Sequence, residues 1–504
     1  MNSFTNNTSR LNNPTRLHEK KEAPGEILFS MSGITLRVRD SWLLADTNWE
    51  VRMGENWAVI GPNGAGKTTL MRAITGQIPV VAGKMMRHHP MAAPEAVGYV
   101  SFEFEQRLID RERARDEARY FSGRADDMLR AGDIIFQTRP GGNKRIWKID
   151  TPIDALDIRH LLDREIRQLS SGELRRIFIA RALLKSRGLL VLDEPFESLD
   201  DRHRHILGAT LDALMERGVQ VILVSHHIES IPKKITRIIA LKRGRVFCQG
   251  PPKEVITARL IDQLYGSSSG TALKNSHKFT PIKFSSQQII DIRKATVRYG
   301  AIIVFKNLSW RVNQGENWAI SGPNGSGKTT LLRLVTGDHL QAYANEIYLF
   351  GRRRGTGESI WEIKNRFGVV SAEFQRNYRK RIPAIDVVRS GFFDSIGLYH
   401  KCSENQQITA NQWIESLNVA TLMDRNYDQL SFGERKMVLI TRAMVKSPDV
   451  LILDEPCQGL DRSNRHRVLA LVDRIGRQTE TQIIFVTHQP DEVPACTTHL
   501  LSLQ

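Results

Sequence analysis

Cysteine is scarce in this chain of 504 residues: only Cys248, Cys402, Cys457 and Cys496 occur. No two of them form a CxxC pair, which argues against a zinc or iron–sulfur framework and against a disulfide scaffold. Such usage is typical of a reducing compartment. The chain also lacks any run of about 18 apolar residues, so we expect no transmembrane helix.

The first 26 residues lack the apolar core of a secretory signal. Two arginines and no acid among the first 18 residues faintly resemble an organellar transit peptide. The high asparagine content and the missing amphipathic order favour a disordered tail instead. We therefore predict a cytoplasmic protein, with peripheral membrane association or organellar targeting as the alternatives.

Acidic residues are outnumbered, because 72 Lys and Arg face 55 Asp and Glu and leave a net charge of +17. A basic chain favours an anionic partner such as nucleic acid, acidic lipid or nucleotide. The basic residues are scattered along the chain, so a solvated basic surface is an equally good interpretation. The length allows two to four domains, at roughly 100–200 residues each.

An internal repeat dominates the sequence. GENWAVIGPNGAGKTTL begins at Gly54 and GENWAISGPNGSGKTTL at Gly315, an offset of 315 − 54 = 261 residues. The tetrapeptide LDEP recurs from Leu192 to Leu453 at the same offset, 453 − 192 = 261. Two copies of one domain are therefore predicted, with nearly equal internal lengths.

Each copy alternates short β-rich runs with amphipathic segments. We predict strands at Val97–Val100, Leu189–Leu192 and Val219–Val224, and helices at Leu174–Leu184 and Arg435–Val445. This alternation predicts an α/β fold in which each copy has a mostly parallel sheet core and a helical subdomain, roughly 103–168 and 372–429. The predicted divisions are a tail (1–26), copy one (27–262), a flexible Ser- and Gly-rich linker (263–285) and copy two (286–504).

A glycine-rich loop of the P-loop pattern occurs in each copy. Its glycines let backbone N–H groups face phosphates, and the helix that starts at the lysine adds its positive dipole end. The lysines would neutralise phosphate charge, and the first threonine hydroxyls would hold magnesium. The predicted ATP-binding residues are Gly61, Asn63, Gly64, Gly66, Lys67, Thr68 and Thr69 in copy one, and Gly322, Asn324, Gly325, Gly327, Lys328, Thr329 and Thr330 in copy two.

Two apolar strands end in paired acids, Asp193-Glu194 and Asp454-Glu455. In each pair we expect the aspartate to hold magnesium, together with Thr68 or Thr329, and the glutamate to polarise the attacking water. A helix N-cap is the alternative explanation, which the preceding P-loop disfavours. The predicted cofactors are therefore ATP and Mg²⁺.

Three further motifs complete a resemblance to the ATP-binding cassette (ABC) family. Leu169–Glu173 (LSSGE) and Leu430–Glu434 (LSFGE) resemble its signature, LSGGQ, about 20 residues before each acid-terminated (Walker B) strand. The D-loop is matched by Ser198–Asp200 and Gly459–Asp461, and the switch histidine by His226 and His488. Five motifs thus recur twice in one order, over roughly residues 27–262 and 286–504.

The resemblance implies an ATPase in which two cassettes pack head to tail inside one monomeric chain. Each ATP would lie between the P-loop of one cassette and the signature of the other, and His226 or His488 would sense its γ-phosphate. Site one would combine Lys67 and Glu194 with Ser431 and Gly433, and site two Lys328 and Glu455 with Ser170 and Gly172.

Both copies depart from the family pattern. Phe102 and Ala372 stand where the Q-loop glutamine is expected, and the candidate substitutes are Glu103, Gln106, Glu373 and Gln375. This departure argues against ordinary coupling to a membrane domain. Phe432 replaces a signature glycine and is expected to narrow site one.

An aromatic residue distinguishes the copies. Tyr299, 322 − 299 = 23 residues before the second P-loop, resembles the side chain that stacks on adenine. Val38 is its counterpart, so the two sites are expected to differ in ATP affinity, because such stacking contributes about 1–3 kcal/mol. A core aromatic is the alternative role for Tyr299.

Copy two closely resembles the ModF group of ABC proteins, also described as photorepair-protein-like. The segments that carry this resemblance are Thr336–His339, Ala342–Glu346, Leu349–Trp361 and Ser390–Gly397. Members are fused double cassettes without membrane segments, and the name of the group links it to molybdate transport. The resemblance therefore implies the ATPase component of a molybdate-type ABC transport system, with a membrane permease as partner.

An ABC-F-like factor acting on ribosomes or RNA is the alternative. The basic charge favours it, but the short Ser-rich linker disfavours it, because those factors join their cassettes by a long charged helical linker. Arg352–Arg354 is a candidate phosphate or RNA contact, with a solvated turn as the slightly preferred interpretation. A regulatory module without turnover is disfavoured by the intact Glu194 and Glu455.

Overall fold

The computed structural model describes residues 26–38, 41–88, 96–101, 108, 129–136, 150–166, 169–186, 189–226, 228–265, 287–299, 302–357, 359–371, 374–375, 378 and 381–503. The predicted tail up to residue 25, the segment 266–286 between the copies and much of the first helical subdomain lie outside these ranges. Each copy of the repeat forms one α/β unit, here called a cassette.

The strands of the first cassette are β1 Ile27–Val38, β2 Ser41–Arg52, β3 Trp57–Ile60, β4 Val80–Arg87, β5 Val97–Ser101, β6 Leu189–Asp193, β7 Gln220–Val224, β8 Arg237–Lys242 and β9 Arg245–Gly250. Those of the second are β10 Gln288–Tyr299, β11 Ile302–Asn313, β12 Trp318–Ser321, β13 Glu346–Leu349, β14 Arg352–Arg353, β15 Phe367–Ser371, β16 Val450–Asp454, β17 Gln482–Thr487 and β18 His499–Ser502.

The α-helices of the first cassette are α1 Lys67–Ile74, α2 Ala131–Phe136, α3 Asp150–Ala155, α4 Ser171–Lys185, α5 Asp201–Glu216, α6 Pro252–Val255 and α7 Ala258–Tyr265. Those of the second are α8 Lys328–Thr336, α9 Ile360–Arg366, α10 Ala384–Arg389, α11 Glu404–Ser416, α12 Phe432–Met444 and α13 Arg462–Gln478. The strands and helices predicted from the sequence coincide with these elements, except that Val219 precedes β7 and Val445 follows α12 by one residue.

Each cassette contains two sheets, and the larger one is mostly parallel, as predicted. Its strand order is β5-β6-β7-β3-β8-β9 in the first cassette and β15-β16-β17-β12-β18 in the second. Among the described strands of these two larger sheets, only β9 pairs antiparallel with its neighbour. The smaller antiparallel sheets have the orders β2-β1-β4 and β11-β10-β13-β14. The α/β fold class is therefore confirmed for both halves of the chain.

The parallel sheet is buried on both faces, which is why its strands are continuous apolar runs. In β6, Val191 packs with the antiparallel sheet and α1, whereas Leu190 and Leu192 pack with the helices of the opposite layer. This layering positions the site, because the P-loop, the acid pair and the switch histidine follow the neighbouring strands β3, β6 and β7. Ligand sites of open α/β sheets lie at this carboxyl edge.

The two cassettes distribute their residues differently, although their flanking motifs are separated by the same offset. β5 and β15 pair with their Walker B strands at equivalent positions, Ser101 with Asp193 and Ser371 with Asp454. Their offset is 371 − 101 = 270, which exceeds the 261 of the flanking motifs by nine residues. The second cassette therefore has nine more residues before this strand and nine fewer after it. The longer stretch contains β14 and α9.

The first cassette continues to the end of α7. Tyr265 is buried in its core, and the Tyr265 hydroxyl accepts a hydrogen bond from the backbone N–H of Gly61 at 3.2 Å. The packed structure thus extends three residues past the predicted end at residue 262.

Candidate functional site

Both P-loops curl around the ammonium group of their own lysine. Lys67 Nζ donates to the carbonyl of Gly61 at 2.7 Å, and Lys328 Nζ donates to that of Gly322 at 2.8 Å. Each loop enters its helix through a left-handed residue, Gly66 with φ 100° and Gly327 with φ 90°. Glycine adopts this conformation without strain, so each loop can turn directly into a helix N-terminus that favours phosphate.

A threonine hydroxyl and an aspartate meet beside each P-loop. Thr68 Oγ1 donates to Asp193 Oδ1, and Thr329 Oγ1 donates to Asp454 Oδ2, both at 3.3 Å. Burial, assisted by the neighbouring glutamate, raises the pKa of both aspartates to about 6. These paired hard oxygen donors fit Mg²⁺, which is usually held by one or two such ligands together with phosphates and water.

The glutamate that ends each Walker B motif faces both the lysine and the switch histidine. Glu194 Oε2 lies 2.8 Å from His226 Nδ1, and Glu194 Oε1 lies 3.7 Å from Lys67 Nζ. The corresponding distances from Glu455 Oε1 are 3.3 Å to His488 Nδ1 and 3.8 Å to Lys328 Nζ.

Neighbouring positive charges control the ionisation state of Glu194 and Glu455. Burial by itself would raise the pKa of Glu194 and Glu455, but the adjacent histidine and lysine outweigh it and lower the pKa of both. Both carboxylates are therefore ionised at neutral pH. Their backbones are left-handed, with φ 54° and 47°, a conformation that is uncommon for a residue other than glycine and is often found at functional sites.

Each signature motif forms the start of a helix. Ser170 caps α4 and Ser431 caps α12, each in a capping box with the glutamate three residues later. The serine hydroxyl accepts from the glutamate N–H at 3.3 Å in both cassettes. Phe432 is the first residue of α12 and is 38% exposed.

The two cassettes contact each other through their P-loops and D-loops. Asn63 donates from its backbone to Asp461 Oδ2 at 2.6 Å and from its side chain to the Gly459 carbonyl at 2.8 Å. In the opposite direction, the Asn324 side chain donates to the Ser198 carbonyl at 2.7 Å. The arrangement is thus reciprocal, with the P-loop of each cassette against the D-loop of the other.

The sites differ in side chains that motif analysis missed. The Tyr99 hydroxyl donates to Asp193 Oδ2 at 3.0 Å, and Val369 is its counterpart in the second cassette. Glu197 Oε2 lies 3.6 Å from His226 Nε2, whereas its counterpart Gln458 donates to the Ser198 hydroxyl across the interface. Comparing the two copies at the repeat offset would have revealed only the second difference, because Val369 lies 369 − 99 = 270 residues after Tyr99 and is identified as its counterpart by strand pairing.

Arg175 supports the first Walker B loop from α4. Its guanidinium donates to the carbonyls of Glu194 at 3.4 Å and Glu197 at 3.2 Å. The residue at the same place in the second cassette is Lys436, which is buried beneath Phe432, with its Nζ 5.9 Å from the ring centroid.

Several predicted residues fall partly or wholly outside the described parts of the chain. This applies to the side chains of Tyr299 and Val38 and to Glu103, Gln106 and Glu373. Gln375 is described: it is buried, and its Nε2 donates to the Phe432 carbonyl at 3.4 Å. It therefore joins the Q-loop region to the signature helix of its own cassette.

The predicted Arg352–Arg354 contact divides into two parts. Arg352 and Arg353 are exposed on β14, but Arg354 is only 5% exposed. The Arg354 guanidinium lies over the Tyr343 ring, 5.2 Å from its centroid. This residue therefore packs the hairpin, and two arginines remain for a surface contact.

No helix in the described ranges is both long enough and apolar enough to span a bilayer. The expectation of no transmembrane helix is confirmed for that part of the chain.

Comparison with known proteins agrees with these motifs. The family model described as "ABC transporter" matches residues 44–197 and 305–458. The ABC transporter ATP-binding protein ModF of Escherichia coli (strain K12) is 36% identical over 93% of this chain and 95% of its own length. An uncharacterized ABC transporter ATP-binding protein of Schizosaccharomyces pombe is 27% identical over 90% and 93% of the two chains.

Solved structures show the same fold at lower identity. A model of ribosome-bound archaeal Pelota and ABCE1 has a TM-score of 0.56 at 18% identity and covers 94% of this chain and 76% of its own. A complex of archaeal ribosomal stalk protein aP1 with ribosome recycling factor aABCE1 has a TM-score of 0.52 at 19% identity, covering 93% and 87%. The chain belongs to the ABC transporter family, as an ABC-type ATPase with two tandem ATP-binding cassettes of the ModF type.

Proposed function

We propose that the chain is an ATP-driven clamp with two composite sites, each binding Mg²⁺ and ATP between the P-loop of one cassette and the signature of the other. The observation that carries this proposal is the reciprocal pairing of Asn63 with Asp461 and Gly459, and of Asn324 with Ser198. These contacts join the P-loop of each cassette to the D-loop of the other and so support a head-to-tail pairing of the two halves of each site. The proposed cassettes span residues 27–265 and 286–504.

Within each site the chain's own groups divide the work of hydrolysis. Lys67 or Lys328 neutralises phosphate charge. The opposing signature helix donates hydrogen bonds to the γ-phosphate from backbone N–H groups at its N-terminus, near Gly433 or Gly172. Bound Mg²⁺, held by the threonine and aspartate oxygens, would supply further charge neutralisation to the phosphates.

The glutamates are assigned as the groups that polarise the attacking water. An ionised carboxylate can accept the proton that water loses, and the lowered pKa of Glu194 and Glu455 keeps each in that form. His226 and His488 contact these carboxylates through Nδ1, and each is the proposed sensor of the γ-phosphate at its site.

Substitution of the glutamates tests this assignment. Glu194→Gln and Glu455→Gln together should lower steady-state ATP turnover at least about 100-fold, because general-base catalysis contributes roughly 10²–10⁴-fold. The variant should retain bound ATP, which is measured by gel filtration with labelled nucleotide. Glu216→Gln, an exposed glutamate on α5, is the matched control and should turn over normally. Unchanged turnover in the double variant would remove the glutamates from this role.

For the coupled partner, a molybdate-type transport system with a membrane permease is the first candidate, from the 36% identity with ModF. An RNA or ribosomal partner is the second. It is favoured by the net charge of +17 and by the extra segment of the second cassette, which exposes Arg352, Arg353 and the Trp361 side chain, 66% accessible. Arginine and exposed aromatic rings are the groups that contact RNA phosphates and bases.

Affinity purification of the ATP-retaining double variant separates these candidates. A co-purified permease favours transport, and co-purified rRNA favours the second candidate. Arg352→Ala with Arg353→Ala should then reduce the rRNA yield, whereas the exposed Lys84→Ala should not. Recovery of rRNA that is insensitive to the arginine substitutions would refute the role of this segment.

A further inference from the structure

The third residue after each D-loop aspartate differs between the cassettes: it is His203 in the first and Asn464 in the second. Both lie in the first turn of the helix that follows, α5 or α13. His203 Nδ1 lies 2.7 Å from Asp200 Oδ1, and Asn464 Nδ2 donates to Asp461 Oδ2 at 3.2 Å. A polar side chain thus contacts the D-loop carboxylate in both copies.

The same side chains lie against the signature glycine of their own cassette. A Cβ atom on Gly172 would stand 2.7 Å from His203 Cδ2, and one on Gly433 would stand 2.5 Å from Asn464 Cγ. Real Cβ atoms essentially never approach this closely, so the space that a side chain would need there is already filled. The side chains of His203 and Asn464 therefore pack against the backbone of the signature glycine.

Each D-loop also holds the P-loop of the opposite cassette. Asp461 Oδ2 accepts from the Asn63 backbone at 2.6 Å, and the carbonyl of Ser198, two residues before Asp200, accepts from the Asn324 side chain at 2.7 Å. Each D-loop consequently joins two elements that belong to the same composite site. Through His203 the second P-loop is linked to Gly172 in site two, and through Asn464 the first P-loop is linked to Gly433 in site one.

We propose that His203 and Asn464 are positioning residues that keep each signature glycine in register with the opposing P-loop, and so determine how long ATP stays enclosed. This inference rests on the composite sites of the proposed function.

Site-resolved release of ATP tests the proposal. The Glu194→Gln, Glu455→Gln protein is loaded with labelled ATP and Mg²⁺, and release is followed after addition of excess unlabelled ATP. Adding Lys328→Ala to this protein identifies which kinetic phase of release belongs to site two. His203→Ala should speed release from site two about 5- to 10-fold, the scale of one hydrogen bond, and leave site one unchanged. Asn464→Ala should do the reverse.

Exchange variants separate positioning from loss of structure. His203→Asn and Asn464→His should each keep release within about twofold of the parent, because both side chains reach the carboxylate. Helix α5 keeps its cap in His203→Ala, since Asp200 accepts from the His203 backbone N–H at 2.9 Å, so the thermal unfolding midpoint should be unchanged.

Three results would overturn the proposal: release unchanged in the alanine variants, both phases accelerated equally by one of them, or His203→Asn as fast as His203→Ala. If the double glutamine protein retains no ATP at all, the composite sites themselves fail, which is a different result from any of these three.

Discussion

In the first cassette the Walker B aspartate is held by a tyrosine hydroxyl, whereas in the second a valine stands at that place. The first switch histidine lies between two glutamates, but the second faces one glutamate and the side chain of Gln489. The groups that would act on ATP are the same in both. Duplication has thus preserved the reacting groups, while the side chains that orient them have diverged.

The divergence extends to the surface. The second cassette has nine more residues before β15 than the first has before β5, and nine fewer after it. In the second cassette the extra length forms β14 and α9, and it exposes two arginines and Trp361. The second cassette is therefore the better candidate for contact with an anionic partner, whereas the first has the more extensively supported acid pair.

The largest effect on ATP binding is expected from removing one P-loop lysine at a time. Lys67→Ala or Lys328→Ala should weaken ATP binding at its own site roughly 10- to 100-fold, the scale of one charge-assisted hydrogen bond. Nucleotide titration of the full chain measures both, with Lys84→Ala as the surface control. If either single substitution weakened ATP binding equally at both sites, the sites would not bind ATP independently. The two cassettes could then not be compared as separate sites.

An effect of about tenfold is expected from pH. Burial raises the pKa of Asp193 and Asp454 to about 6, so the protonated form of each prevails below that pH. Only the ionised form binds Mg²⁺ well, so Mg²⁺-dependent ATP binding should weaken about tenfold between pH 7 and pH 5, since one pH unit below its pKa leaves about a tenth of a group ionised. Binding measured in EDTA is the control and should lack this dependence.

The smallest effect is expected from substituting Tyr99, which contacts Asp193 in the first cassette and has Val369 as its counterpart in the second. Tyr99→Phe removes a hydrogen bond to ionised Asp193 and should raise the Mg²⁺ concentration for half-maximal turnover about 3- to 10-fold. The Glu455→Gln background limits the measurement to site one. Val369→Tyr in the Glu194→Gln background is the reciprocal variant and should leave the second site unchanged or improved. No change in the Mg²⁺ dependence of Tyr99→Phe would mean that the hydroxyl does not orient Asp193.

The reacting groups could be predicted because their chemistry is local. A P-loop needs closely spaced glycines, a lysine and a threonine, and an apolar run that ends in two acids identifies a buried strand with its carboxylates at the sheet edge. Tyr99 and Arg175 could not be recognised in this way. Their roles depend on which strands and helices become neighbours, and a tyrosine in a strand looks like any core aromatic.

The way in which residues are distributed within each copy likewise could not be predicted from the motifs. A constant offset of 261 residues at two motifs predicted equal copies, but pairing of β15 with β16 revealed the nine-residue shift in strand position between them. Offsets between motifs measure only total length. The register of a strand is fixed by its neighbours in the sheet, and only pairing identifies the equivalent residues.

The sequence by itself determined that there are two ABC cassettes and that the chain is basic, and it nominated the residues that are proposed to bind ATP. Only the tertiary structure decided that each D-loop lies against the P-loop of the opposite cassette, and that the Tyr99 hydroxyl donates to Asp193. The physical reason is distance along the chain. Asn63 and Asp461 are separated by 398 residues and still share a 2.6 Å hydrogen bond, and no local pattern encodes such a contact.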